Sequence, residues 1–242
     1  MKAELGNIFR TIGPDWRYIP NVQVSTILAV SQNDESVSFR GDGDAQKHRT
    51  LLENLLSPVQ PIHWLNQKHG NTVLEYPEAR DVDADGAVTS KKKIICAVRS
   101  ADCLPIAFVD LKGTRVGVAH AGWKGLAGGI LAQVIKRFER SPNEIAVWIG
   151  PAIAQAHYEV GPEVRQAFLV KDASYSAMFA NGIGDRFFAD LGAIASFQLR
   201  SLGVVAANIS SSEIDTYSSD ECHSSRRDGE RAGRMATIAW LS

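Results

Sequence analysis

Between Ile94 and Ile149 the apolar residues fall into short runs, Ile94 to Val98, Pro105 to Val109, Arg115 to Ala119 and Ile145 to Ile149, with one longer stretch of helical spacing from Leu126 to Phe138. Runs of this length and composition suit strands, and Lys112-Gly113-Thr114 supplies a turn between two of them. In the longer stretch Ile130, Leu131, Val134, Ile135 and Phe138 share one face, and Ser141-Pro142 closes it. Strand 115–119, this helix and strand 145–149 read as a β-α-β unit. The alternation continues on both sides. Val22 to Val30 reads as a strand and Ala45 to Leu56 as a helix, followed later by helices at 162–169 and about 187–201 and strands at 204–209 and 236–241. Polar runs at 32–36 and 40–44 read as loops. The expected fold class is α+β: a single domain over residues 1–242, with mixed β-sheets layered against α-helices.

Composition narrows the function classes. A chain of 242 residues with 45% hydrophobic and 22% charged residues can bury about 70–75% of its unfolded surface. A formal net charge of -1 gives no field that would attract nucleic acid or an anionic membrane, so neither is an expected partner. The three cysteines, Cys96, Cys103 and Cys222, are too few for a disulfide framework and fit a reducing compartment. No apolar run follows Lys2, and no stretch is long and apolar enough to span a membrane, so the expected location is the cytoplasm.

Three residues stand in distinctive surroundings: His69 in Asn66-Gln67-Lys68-His69-Gly70, Cys103 in Ala101-Asp102-Cys103-Leu104-Pro105, and His120 in Ala119-His120-Ala121-Gly122-Trp123. Two imidazoles and a thiolate make a tetrahedral zinc site with its fourth position open, the catalytic rather than the structural arrangement. Their separations, 103 − 69 = 34 and 120 − 103 = 17 residues, match no local zinc-finger pattern. Any one of them alone is more often a satisfied core or surface residue. Their small neighbours, Gly70, Ala101, Ala119 and Ala121, let backbones approach closely. A bound zinc would leave a position for water, whose pKa falls from about 16 to about 7. The alternative is a Cys103 nucleophile activated by His69 or His120. Copper ranks below zinc, because no Met or His lies close beside Cys103.

A second group lies near the C-terminus, in Ser224-Ser225-Arg226-Arg227-Asp228-Gly229 and Gly233-Arg234-Met235. On charge alone this is a solvated turn, but Arg226, Arg227 and Arg234 carry forks that match phosphate and carboxylate. Asp102, beside the thiol, is a candidate to orient a ligand or shuttle a proton. Tyr158, His157 and Trp123 are as well suited to core or turn positions as to a pocket wall. No P-loop or dinucleotide fingerprint occurs, so a bound phosphate must be held in another way.

With Trp64 to Gly70, Asp83-Ala84-Asp85-Gly86, Ser100 to Pro105, Val118 to Gly125, Ile149 to Ile153, Tyr158 to Gly161, Arg226-Arg227-Asp228 and Gly233 to Ala236, the chain resembles the laccase-domain family. That family is also described as multicopper polyphenol oxidases and as purine nucleoside phosphorylases. The resemblance runs from about residue 60 to the end and implies zinc on His69, Cys103 and His120; with Asp102 beside the thiol, Cys103, Asp102, His69 and His120 are the candidate catalytic residues. It implies phosphorolysis of adenosine, inosine, guanosine and methylthioadenosine, with purine nucleoside and phosphate as partners, together with adenosine deamination. Some bacterial members are associated instead with editing of a peptidoglycan precursor. The family's Thr-Arg-x-Gly-Gly-Val-Ser opening is here Ser25 to Ser31, which removes an arginine. Its Phe-Phe-Ser-Tyr before Arg-Arg-Asp is Cys222-His223-Ser224-Ser225, and its Cys-Thr-Tyr is Asp215-Thr216-Tyr217.

Overall fold

A computed structural model describes residues 8–31, 35–40, 44–77 and 82–242. Its strands are β1 (Phe9–Ile12), β2 (Val22–Ser31), β3 (Val73–Glu75), β4 (Gly86–Thr89), β5 (Cys96–Ser100), β6 (Leu104–Asp110), β7 (Val116–Ala121), β8 (Ile145–Ile149), β9 (Glu159–Val160), β10 (Phe179–Asn181), β11 (Phe187–Ala189), β12 (Ile209–Ser211) and β13 (Met235–Leu241). Its helices are α1 (Asp44–Leu56), α2 (Trp123–Gly128), α3 (Ile130–Phe138), α4 (Pro162–Leu169), α5 (Leu191–Ser201) and the single turn α6 (Ser225–Asp228). The α+β class follows directly. A six-stranded mixed sheet runs β12-β8-β6-β7-β4-β3, a four-stranded antiparallel sheet β1-β2-β13-β5, and a small third sheet β10-β11-β9.

The period-two alternation of strand side chains sorts the core into layers. From β6, Ile106 and Phe108 point to one side with Val134, Ile135 and Phe138 of α3, whereas Ala107 and Val109 point to the other. That second side is shared with Val98 of β5 and Ala239 and Leu241 of β13, so the two large sheets pack face to face. The outer face of the four-stranded sheet, with Ile27, Ala97, Ile238 and Trp240, is covered by Leu52 and Leu56 of α1. Both faces of each central strand are thus buried, which is why these strands read as unbroken apolar runs. Each large side chain so buried stabilises the fold by about 1.5–3 kcal/mol before the entropy of ordering is subtracted.

Several elements differ from the sequence expectation. The helix expected over 126–138 begins at Trp123 and is broken at Gly129, whose φ of 83° lets it cap α2 through its N–H to Gly125 and Leu126 and then start α3. Strands β7 and β8 run parallel but are not neighbours, because β6 pairs antiparallel with both. The tight turn at Gly113, with φ of 66°, folds β6 and β7 into a hairpin, so β6 occupies the place between β7 and β8. The strand expected at 204–209 starts only at Ile209, since buried Val204 closes the end of α5 through its N–H to the Leu199 carbonyl. Before α5, residues 187–189 form β11 rather than helix, and Asp190 caps α5 by accepting from the Ala193 N–H. Helix α4 and strand β13 lie where expected, β13 beginning one residue earlier at Met235. The loops expected at 32–36 and 40–44 fall partly outside the described residues. Among the described residues no helix is long and apolar enough to cross a membrane.

Candidate metal centre

Strand β5 of the four-stranded sheet and the β6–β7 hairpin of the six-stranded sheet bring the proposed ligands to one end of the packed sheets. Cys103 occupies the bend between β5 and β6, His120 the next-to-last position of strand β7, and His69 the loop before β3. One donor atom from each lies within 4.8 Å of the others. The two imidazole rings meet edge to face, 4.7 Å between centroids. A tetrahedral zinc with bonds of about 2.0–2.3 Å needs donor separations of about 3.5 Å. The thiol and two ring nitrogens therefore have the chemistry and nearly the spacing of a metal site, and small side-chain rotations would close it.

Asp85, just before β4 and 1% exposed, organises this end. Its Oδ1 accepts from the backbone N–H of His69 at 2.9 Å and sits 2.8 Å from Nδ1 of His120. Its Oδ2 accepts from the N–H groups of Lys68 and Gly70 at 3.0 and 2.7 Å. These contacts hold His69 in the left-handed region at φ 58°, a conformation that needs such over-determination in a non-glycine residue. With Nδ1 of His120 committed to Asp85, Nε2 is the nitrogen left for a metal. Burial opposes ionisation of Asp85, yet hydrogen bonds from His120 and the loop N–H groups hold its carboxyl below the usual range. Burial likewise opposes ionisation of the Cys103 thiol, but His120 and His69 outweigh it and bring it down to about 6. His120 shows the reciprocal effect: burial disfavours its charge, while Asp85 and Cys103 raise it to about 9.

Gly122 follows β7 and is required for space. A Cβ there would lie 2.9 Å from Cys103 Sγ and 3.0 Å from His69 Cδ2. Any larger residue would push into the ligand group.

The three residues stand on the wall of a cavity of about 510 Å³. Arg40, Arg99, Arg226 and Arg234 also line it, so a potential metal and a cationic wall share one space. Arg226 donates to the Glu159 carbonyl at 2.9 Å and lies 5.2 Å from the Tyr158 ring, which forms part of the same wall. Arg234 donates to the carbonyls of Ala232 and Gly233. Arg99 donates to the carbonyls of Arg40 and Leu65. Burial and the like charges of Arg49 and Arg234 lower Arg99 to about 10, which leaves it protonated at neutral pH. Arg40 donates to the carbonyls of Glu230 and Ala232.

Arg227 is placed differently. Its guanidinium donates to the carbonyls of Thr216, Tyr217, Ser219 and Cys222 and pairs with Asp228, which fixes the preceding turn. Asp102 is 7% exposed and accepts from Thr216 Oγ1 and from the Arg226 N–H, both at 2.7 Å. His157 pairs with Asp215 and stacks on Tyr217, while Trp123 packs partly buried against the helical core. Asp85, Arg40, Arg99 and Gly122 lie at the candidate site, and sequence reasoning gave them no role. The signal that could have found Asp85 is its place in Asp83-Ala84-Asp85-Gly86, one of the segments that carry the family resemblance.

A family model described as multi-copper polyphenol oxidoreductase laccase matches residues 33–242. The chain is 40% identical over 189 residues to an Escherichia coli K12 protein named purine nucleoside phosphorylase YfiH, covering 76% of this chain and 75% of that one. It is 31% identical over 245 residues to a Haemophilus influenzae protein named purine nucleoside phosphorylase, covering 96% and 99%. The crystal structure of Neisseria meningitidis protein NMB0706 matches with a TM-score of 0.85 at 33% identity, over 97% of this chain and 99% of that one.

Proposed function

This chain belongs to the multi-copper polyphenol oxidoreductase laccase family, and from that premise we propose that it is a zinc-dependent purine nucleoside phosphorylase. The observation that carries the reading is the shared cavity, in which His69, Cys103 and His120 face the same space as Arg226 and Arg234. Similar proteins that bear the phosphorylase name support the substrate class. Adenosine, inosine, guanosine and methylthioadenosine are the substrates proposed, with adenosine deamination as an accompanying activity.

Cys103, His69 and Nε2 of His120 would hold a zinc ion, which would supply Lewis acidity at the cavity wall. The chain does the rest by binding and orientation. Arg226 and Arg234 hold the phosphate that attacks the ribose C1′, and guanidinium forks suit its oxygens. Tyr158 offers a ring face to the purine, with its phenol kept protonated by burial and by the neighbouring Cys103. Asp85 sets the orientation of His120, Asp102 sets the bend that carries Cys103, and Arg227 holds the turn from which Arg226 projects.

The test is incubation of purified, zinc-loaded protein with adenosine, with and without phosphate. Adenine and ribose 1-phosphate that appear only with phosphate are the expected products, and inosine reports deamination. Absence of all three removes the nucleoside reading, and phenol oxidation with bound copper would replace it.

One observation favours a second reading. Asp85, His120 and Cys103 form an acid–imidazole–thiol chain of the kind that activates a cysteine nucleophile. In that case the protein is an amidase acting on a peptidoglycan precursor. Precursor cleavage that survives chelation, with nucleosides untouched, distinguishes it.

A further inference from the structure

We propose that residues 215–217 form a clamp, with Thr216 as the positioning residue, which sets both the metal-ligand bend and the arginine arm through the single carboxylate of Asp102. The kinetic half of this proposal rests on the phosphorylase reading; the metal half does not.

Asp102 has φ of 88°, a backbone conformation that a residue with a side chain keeps only when its surroundings impose it. Three contacts impose it. Oδ1 accepts from Thr216 Oγ1, Oδ2 accepts from the Arg226 N–H, and the carbonyl accepts from the Ile153 N–H at 3.0 Å. Cys103 is the next residue along the bend. One carboxylate therefore fixes the backbone that presents the thiol and the backbone that presents the Arg226 side chain, from chain segments far apart in sequence.

Thr216 is completely buried, and its own backbone is pinned on both sides. Its N–H donates to the Ala152 carbonyl at 3.0 Å, and its carbonyl accepts from Arg227. Asp215 anchors the clamp: Oδ1 accepts from the N–H groups of Ala154 and Tyr217, and Oδ2 from Ser218 Oγ and His157 Nδ1. The His157 ring stacks on Tyr217, 4.5 Å between centroids at 16°. None of Asp215, Thr216, Tyr217 or His157 lines the cavity. What the clamp delivers to the site is the Thr216 hydroxyl on Asp102, a buried hydrogen bond to a residue that itself lines the cavity.

The experiment uses Thr216→Val, which keeps the shape and removes the donor, and Thr216→Ser, which keeps the hydroxyl. Thr216→Val should bind Zn²⁺ about tenfold more weakly, read by competition with a zinc indicator, the size expected for residues behind metal ligands. The KM for inorganic phosphate should rise by a similar factor with a smaller change in kcat, and Thr216→Ser should restore both. If Thr216→Val does not fold, Asp215→Ala, at a partly exposed position, carries the same expectation. A folded Thr216→Val or Asp215→Ala protein with wild-type zinc affinity and KM overturns the proposal. A raised KM with unaltered zinc affinity overturns its reach to Cys103. Zinc affinity is measurable in protein that turns over no nucleoside, so failure of the phosphorylase reading leaves that arm decisive.

Discussion

The Asp85 carboxylate sits 2.8 Å from Nδ1 of His120 and thereby selects which ring nitrogen of His120 faces Cys103. The same carboxylate holds three consecutive N–H groups of the His69 loop, so one buried acid aligns two of the three proposed ligands. Asp85→Asn keeps the shape but sets an amide NH₂ against groups that themselves donate. Zinc affinity is expected to fall about 10–100-fold. Stability is expected to fall by about 1–3 kcal/mol through unsatisfied buried donors. Indicator competition and denaturant unfolding read the two effects, and unchanged zinc affinity would show that His120 is oriented by something else.

Gly122→Ala tests whether the ligand group is as crowded as its geometry indicates. The backbone there, φ -73° and ψ 172°, suits any residue, so the substitution probes space alone. The added methyl meets Cys103 Sγ and His69 Cδ2 at about van der Waals overlap, and the expected stability cost is about 1–3 kcal/mol. The metal should suffer more, because the thiol and the ring must both move. Crystals or zinc titrations that show wild-type ligand positions and affinity would remove this crowding from the account.

Local punctuation made much of the fold legible. Gly161-Pro162 announces α4, and the apolar run 145–149 announces β8, because both faces of that strand are buried. Helix breakage at Gly129 and the late start of β12 were not legible, since each depends on how chain ends pack rather than on periodicity. Strands of two to four residues such as β3, β9 and β11 carry too little pattern and exist through their partners. The site divides in the same way. His69, Cys103 and His120 stand out in the sequence by their small neighbours, whereas Asp85 acquires its role only when folding sets it against residues 68–70 and 120. Arg40 and Arg99 reach the cavity from segments that carry no recognisable arginine pattern.

Adjacent arginines should separate binding from folding. Arg226 lines the cavity, whereas Arg227 is spent on four carbonyls and Asp228. Arg226→Ala should raise the KM for phosphate about tenfold or more while leaving the unfolding midpoint close to wild type. Arg227→Ala should cost about 1–2 kcal/mol of stability, with kinetic losses that follow from the displaced turn. Steady-state kinetics beside denaturant melts distinguish them, and equal stability losses for the two would show that Arg226 is structural.

Zinc binding should carry a proton signature whose sign follows from the shifts at Cys103 and His120. With the thiol lowered to about 6 and His120 raised to about 9, the metal-free site at pH 7.5 is a thiolate beside an imidazolium. A metal needs the thiolate, already present, and a neutral ring, so binding must expel about one proton, from His120. Affinity should therefore rise about tenfold per pH unit between 6 and 9 and level off above 9. Folding stability behaves differently. The His120 contribution is whole below its ordinary value and is lost as pH rises through 9, while the Cys103 contribution is whole above its ordinary value and is lost as pH falls through 6. Their slopes oppose each other across neutral pH, so this pair should leave metal-free stability nearly flat there. Asp85, held below its ordinary value, contributes above about pH 4 and loses that contribution as pH falls further. Zinc titration calorimetry at pH 7.5 in two buffers of different ionisation enthalpy counts the proton. Release of none would mean that His120 is already neutral and that Asp85 and Cys103 do not hold its charge.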